Sequence, residues 1–293
     1  MTYDISLYGN LILDNTYCVK GYSHEESNVC YGKKKSPGAT ANVAVAISRL
    51  APELSINIQS KIGQDVSGRY IKKWFADLKK MRYNNIDMLI TESPKPTSEA
   101  VIISDIVNKT RSSIVSWGAC QDVNVIGGLQ SRWSHILYVD NLPNLDLNSL
   151  KNLSKDSIIS IDLCSSNQSG QTKEKILSML PYVDYVFASS EEGACLIGEE
   201  KEHDTALKIG KLARGWAIIH SPDGSCVSNG SHKQTRSYRV QNKIKKSVNV
   251  LGAGDNFAAA FIARKIQKET TVEESVRFAH EEATKYILNN SKD

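Results

Sequence analysis

Four consecutive residues, Gly252, Ala253, Gly254 and Asp255, combine the types needed to handle an anion beside a proton acceptor. They follow a short apolar run from Val248 and precede an Ala-rich segment to Phe261 that reads as helix. Two glycines around one alanine let the backbone come close to a bulky anion. A helix that starts there aims its unpaired N–H groups and the positive end of its dipole at the same place. A carboxylate at that mouth can accept a proton from an attacking hydroxyl. Together they suggest phosphoryl transfer to an alcohol. The plain structural alternative is a tight strand-to-helix turn with Asp255 as a first-turn helix acid.

The elements that must hold this turn follow an alternating pattern. Ile5 to Leu13 reads as a strand with Gly9 inside it, ended by Asp14, and Asn42 to Leu50 as a buried helix. Leu54 to Ile62 alternates as a strand, and Arg69 to Lys80 is an amphipathic helix in which Trp74 and Phe75 belong to the core. From Ile136 onward short apolar runs alternate with helical stretches: strands at Ile136–Val139, Ile158–Leu163, Tyr185–Ala188 and Trp216–Ile219, and helices at Leu147–Leu153, Lys173–Leu180, Glu191–Ile197 and Asp204–Arg214. A polar hairpin over Gly224–Val240 precedes the anion-handling turn, and Val272–Leu288 closes the chain as a helix. Repeated β-α units predict an α/β fold with a parallel sheet covered on both faces. Two β-rich stretches, roughly 15–36 and 97–117, fall outside that sheet.

At 293 residues, with 41% hydrophobic and 23% charged residues, the chain is expected to fold as one soluble α/β domain. Its net charge of +4 is too mild and dispersed to argue for nucleic acid. No apolar run reaches membrane-spanning length. None of the six cysteines forms a C-x-x-C pair, and none is needed as a disulfide staple, so reduced thiols in the cytoplasm are the expectation.

Further segments carry a resemblance in order and spacing. Gly9 to Asp14, Gly38-Ala39-Thr40-Ala41-Asn42-Val43-Ala44 (with Pro37 before it), Ile62-Gly63-Gln64-Asp65-Val66-Ser67-Gly68, Glu192 with Leu196-Ile197-Gly198, and the turn ending in Asp255 run along nearly the whole chain. Together they resemble the ribokinase-like (PfkB) carbohydrate kinases. The resemblance implies a ribokinase-like three-layer sandwich with a mostly parallel central sheet and a small β lid built from the two outlying stretches. It also implies an ATP- and Mg²⁺-dependent kinase acting on a hydroxyl of a sugar or sugar-like molecule. Asp255 would be the base, and the amides of Gly252, Ala253 and Gly254 an anion hole. Asp14, Gly38, Asn42, Asp140 and Arg111 match positions on the acceptor side. Ser189, Ser221, Gly224, Gly254 and His280 match the nucleotide side, and Glu192 would act on the metal through water. Pairing of two copies through the lid is a further expectation.

The chain departs from the family pattern in several places. Asn249-Val250 stands where the family has Asp-Thr, which leaves a monovalent cation site unmatched. Ser189 replaces the Asn of Asn-x-x-Glu, and His280 an asparagine near adenine. The nucleotide loop reads Ile219-His220-Ser221-Pro222-Asp223-Gly224 and keeps only its last glycine. A nucleoside kinase of the same fold and a non-catalytic ligand-binding paralogue therefore stand beside the sugar-kinase reading. Individual residues also have plainer roles: Asp14 as a turn residue, Asn42 as a helix cap, Asp65 as a turn fixer, Glu192 as a first-turn acid and Arg111 as a solvated hairpin tip.

Overall fold

Alternating strands and helices build two sheets in the computed structural model, which describes residues 2–108, 110–123, 131–137, 146–164, 170–240 and 250–290. The first strands are β1 (Tyr3–Tyr8), β2 (Leu13–Val19), β3 (Cys30–Ser36), β4 (Ile56–Gly63), β5 (Ile86–Ser93), β6 (Glu99–Asp105) and β7 (Thr110–Ser116). They are followed by β8 (Ser131–Leu137), β9 (Ile158–Asp162), β10 (Tyr185–Ser189), β11 (Trp216–Ser221), β12 (Gly224–Ser228) and β13 (Arg236–Arg239). The helices are α1 (Ala39–Leu50), α2 (Val66–Met81), α3 (Leu147–Asp156), α4 (Gly170–Met179), α5 (Ser190–Ile197), α6 (Glu202–Leu212), α7 (Ala253–Gln267) and α8 (Val272–Asn290).

The larger sheet has the order β13-β12-β11-β10-β9-β8-β1-β4-β5. From β11 to β5 every neighbouring pair is parallel, and the polar hairpin adds β12 and β13 antiparallel at one edge. Strands buried on both faces must be apolar on both. Ile5, Leu7, Ile56, Ile58 and Phe187 pack under α1, α7 and α8, whereas Ile136, Ile159, Ile161 and Val186 pack under α3 to α6. Each such side chain contributes roughly 1.5–3 kcal/mol by leaving water. Helix α7 is the middle of its layer, and Ala258 to Ala263 are all buried. The Ala-rich run seen in the sequence is thus a close-packing device. The polar residues of β4 are also internal: Asn57 donates to Ser6 Oγ at 2.6 Å, and Gln59 is buried beside Tyr8. Among the described residues no helix is long and apolar enough to cross a membrane.

The smaller sheet has the order β3-β2-β6-β7 and forms a lid. Its existence corrects one sequence expectation, the single strand over Ile5–Leu13. Strand β1 ends at Tyr8 because α1 crowds the chain there: a Cβ on Gly9 would lie 2.5 Å from Thr40 Oγ1, which donates to Asn10 O at 2.9 Å. The chain leaves the main sheet, and Leu13 N bonds to Ser98 O at 2.9 Å as β2 begins. Asp14 is therefore the second residue of a lid strand rather than a turn. Expected helix α2 also starts earlier, at Val66, with Asp65 as its cap.

Asp65 does more than fix its turn. Its carboxylate accepts from Gly68 N at 2.8 Å, Thr97 N at 2.7 Å and Thr97 Oγ1 at 2.6 Å, tying the root of β6 to the start of α2. A Cβ on Gly68 would lie 2.1 Å from Gly63 O, so both glycines of that sequence motif answer to close backbone crossing at the lid's root.

Candidate active site

The strand order reverses at β1, with β4 and β5 on one side and β8 to β11 on the other. In such sheets the crevice for ligands lies beyond the carboxyl ends of the strands near that reversal. The C-terminal ends of β9, β10 and β11 carry Asp162, Ser189 and Ser221.

Gly252 caps α7 with φ at 81°, a left-handed value that other L residues adopt only with strain. Tyr286 from α8 braces the turn, donating its hydroxyl to Leu251 O at 3.0 Å, and Asn256 Nδ2 donates to Gly252 O at 3.0 Å. The Ala253 amide, expected among the anion donors, instead donates to Val250 O at 3.0 Å. The amides of Gly252, Gly254 and Asp255 make no hydrogen bond among the described residues, so the helix mouth keeps two of the expected donors and offers Asp255 N in place of Ala253 N.

Asp255 sits in the first turn of α7, and Asn42 Nδ2 donates to its Oδ2 at 2.8 Å. Asn42 does not cap its helix. That position belongs to Gly38 (φ 83°), whose absent side chain lets Ile12 O come within 3.1 Å of where a Cβ would stand. Burial pushes Asp255 up to about 6, against the Asn42 hydrogen bond and the charge of Arg111, which pull it down; Glu192 adds to the rise. Asp14 faces the same place from the lid. Burial and then the charge of Asp255 push it up to about 7, with Arg111 opposing. Arg111 is exposed near the β6–β7 turn, as a hairpin-tip residue would be, yet it bears on both carboxyls and lines the neighbouring cavity.

These shifts make a prediction about the ligand-free protein. Both folded-state pKa values lie above the ordinary aspartate value of 3.8, so the stability these groups contribute is fully present below that value and is lost as pH rises through about 6 and 7. Asp14→Asn removes one of the two buried charges. Its melting temperature is expected to exceed the parent's at pH 8 and to converge with it near pH 4, as thermal unfolding across that range would measure.

A cavity of about 650 Å³ opens beside the helix mouth. It is lined by Gly254, His220, Phe257, His280, Ser221 and Ser189, among others. The Phe257 ring lies 5.1 Å from that of His220 and 4.9 Å from that of His280, and His280 Nε2 pairs with Ser225 Oγ at 2.7 Å. Burial holds both histidines down to about 4, so both are neutral at pH 7. An aromatic floor at one end and helix N–H groups at the other suit a flat base joined to a polyphosphate. Gly224 pairs with Ser221 across the β11–β12 hairpin.

Ser189 and Glu192 form a reciprocal capping box on α5: Glu192 N donates to Ser189 Oγ at 3.2 Å and Ser189 N to Glu192 Oε2 at 2.7 Å. The first-turn role of Glu192 is thus real, and its charge still reaches the site. Asp162, only 4% exposed, was not singled out in the sequence. Burial and then Glu192 push it well above the ordinary carboxyl range. Its place at the end of an apolar strand was the available signal. Cys164 beside it has φ at 50°, the one non-glycine residue in the left-handed region among the described residues. Among the described residues no group of three or more His, Cys, Asp or Glu is arranged to ligate a metal directly. The carboxyl-rich wall of Asp162, Glu192 and Asp255 suits a hydrated cation carried on a phosphate. Asp140 and Asn249 lie outside the described residues.

The comparisons agree with this architecture. The pattern of the pfkB family carbohydrate kinases matches residues 4–290. A 5-dehydro-2-deoxygluconokinase of Clostridium botulinum (strain Eklund 17B / Type B) is 24% identical over 285 residues, covering 88% of this chain and 80% of that protein. Among solved structures, a ribokinase from Giardia lamblia superposes with a TM-score of 0.80 at 16% identity, covering 97% of this chain and 94% of that one. Adenosine kinase from Sinorhizobium meliloti superposes with a TM-score of 0.78 at 18% identity, with coverage of 97% and 94%. Arabidopsis thaliana ribokinase complexed with ribose and ATP does so with a TM-score of 0.75 at 17% identity, with coverage of 98% and 93%. The chain belongs to the pfkB family of carbohydrate kinases.

Proposed function

We propose that this kinase transfers the γ-phosphoryl group of ATP to a hydroxyl of a sugar or sugar-like acceptor, with Asp255 as the base. The observation that carries the reading is the convergence on Asp255. Asn42 reaches it at 2.8 Å from α1, Asp14 faces it from the lid, and it stands at the N-terminal mouth of α7.

Asp14 and Asn42 would bind acceptor hydroxyls, the one as an acceptor of hydrogen bonds and the other as both donor and acceptor. Gly38 leaves room for the acceptor's approach. Asp255 orients the attacking hydroxyl and takes its proton late in transfer. The amides of Gly252 and Gly254 meet the negative charge on the moving phosphoryl group, already aligned before it forms. Arg111 adds a positive charge from the lid and excludes water as the lid closes. Phe257 and His280 line the space for the base, beside Ser221 and Gly224. Mg²⁺ bound with the nucleotide would supply charge neutralisation, with Glu192 and Asp162 holding its water shell. A cytoplasmic location and pairing of two copies through the lid's outer face, where Ile114 is 74% exposed, belong to the same reading.

Acceptor-dependent ADP release, measured with sugars, sugar acids and nucleosides alongside thermal-shift binding, tests the reading. Turnover with a sugar or sugar acid supports it. Turnover with nucleosides alone moves the acceptor class, and binding without any turnover leaves a ligand-binding paralogue. A pH profile adds a check on the base. Activity should fall as pH drops through about 6, where Asp255 takes up its proton. Asn42→Leu removes the hydrogen bond that favours the carboxylate, so the acidic limb should move to higher pH. An unmoved limb in that variant would detach it from Asp255.

A further inference from the structure

His220 stands at the seam between the base end of the 650 Å³ cavity and the mouth of α7. The atom of its ring nearest the mouth is Cε1, 3.6 Å from where a Cβ on Gly254 would be. Cε1 lies between the two ring nitrogens, so the edge turned toward the anion-handling glycine is the edge that carries the N–H. Neither nitrogen makes a hydrogen bond among the described residues, whereas His280 is engaged by Ser225. The ring's face is held against Phe257, which fixes that edge in place. We propose that His220 is a phosphate-binding residue of this kinase, and that a nucleoside polyphosphate binds with uptake of one proton onto its imidazole.

The physical logic is linkage. Burial, and then the proximity of His280, hold His220 at about 4, so the ring is neutral at pH 7. A polyphosphate at the helix mouth favours the cationic ring and raises that pKa. The proton comes from solvent onto the ring nitrogen, and the imidazolium then donates to a phosphate oxygen. The charged or titratable groups around it are His280 from α8, Arg111 from the lid, Glu191 from α5, Asp223 from the β11–β12 turn and Asp255 from α7. Of these, His280 opposes protonation. The added cation sits where the chain carries an imidazole in a nucleotide loop that keeps only its last glycine.

Only the identity of the ligand rests on the kinase reading, and binding needs neither acceptor nor turnover. Isothermal titration of the full chain with ADP, a non-hydrolysable ATP analogue and adenosine, in buffers of different ionisation enthalpy, separates the two. Uptake approaching one proton near pH 6.5 is expected for ADP and the analogue and none for adenosine, with affinity gaining up to about tenfold per pH unit lost. His220→Asn should lose the uptake and weaken ADP, whereas His280→Gln should keep the uptake. Polyphosphate binding by the parent without proton uptake overturns the proposal without any variant having to fold. Equal uptake with adenosine, or uptake that survives in His220→Asn, overturns it as well. Failure of the kinase reading would show instead as absent turnover with this linkage intact.

Discussion

Asp255→Asn is expected to lower turnover by about 10²–10⁴-fold while leaving nucleotide and acceptor binding within a few-fold of the parent. The substitution keeps the shape of the side chain, and an amide can still meet Asn42, which lies 2.8 Å away across the site. What it removes is the proton acceptor. Stability moves the other way. The folded-state pKa of Asp255 is pushed up to about 6, so at pH 8 the parent carries an ionised group that the fold disfavours. The variant's melting temperature at that pH should equal or exceed the parent's. Steady-state ADP release and thermal unfolding on one preparation measure both. Lost activity with a lowered melting temperature would report a damaged fold rather than a missing base, and retained activity would remove Asp255 from that role.

Gly252→Ala is expected to have the second-largest effect, a loss of about 10²–10³-fold in turnover, as is typical when one donor to developing charge is displaced. Two costs coincide at this position. The backbone holds φ at 81°, which costs an L residue about 1–2 kcal/mol. The new methyl would stand 2.7 Å from Tyr286 Oη and 3.5 Å from Asn42 Nδ2. Relief requires moving the tyrosine that braces Leu251 or the amide that holds Asp255. Gly254→Ala is the control. Its methyl meets only His220 Cε1, at 3.6 Å, an ordinary contact. The fold should tolerate it, and a melting temperature lowered as far as in Gly252→Ala would contradict the packing account.

The anion-handling turn was legible because its chemistry is local: two glycines, a helix start and an acid lie within four residues. Strand and helix alternation was legible too, since period and burial go together in parallel sheets. Other features were not. Asn42 and Asp255 are 213 residues apart, and the hydrogen bond between them is a product of α1 packing beside α7. Asp162 reads as one polar residue ending an apolar run, and only the fold brings Glu192 and Asp255 near it. Arg111 looks solvated because its strand is exposed, but the lid carries that strand over the site. The break between β1 and β2 was hidden for a related reason. Residues Ile5 to Leu13 are nearly all apolar, and only the crowding of Thr40 against Gly9 shows where the chain must leave the sheet. Asp65 lay between these cases: its capping role could be read, while its grip on Thr97 across 32 residues could not.

Phosphorus NMR of the protein with Mg-ATP and each candidate acceptor tests the central claim most directly, because it follows the phosphoryl group itself. The account predicts loss of the γ-phosphorus signal with equal growth of a phosphate monoester on a sugar or sugar-acid hydroxyl, and no comparable change without acceptor. Release of inorganic phosphate regardless of acceptor, or unchanged ATP with every acceptor that binds, would contradict it.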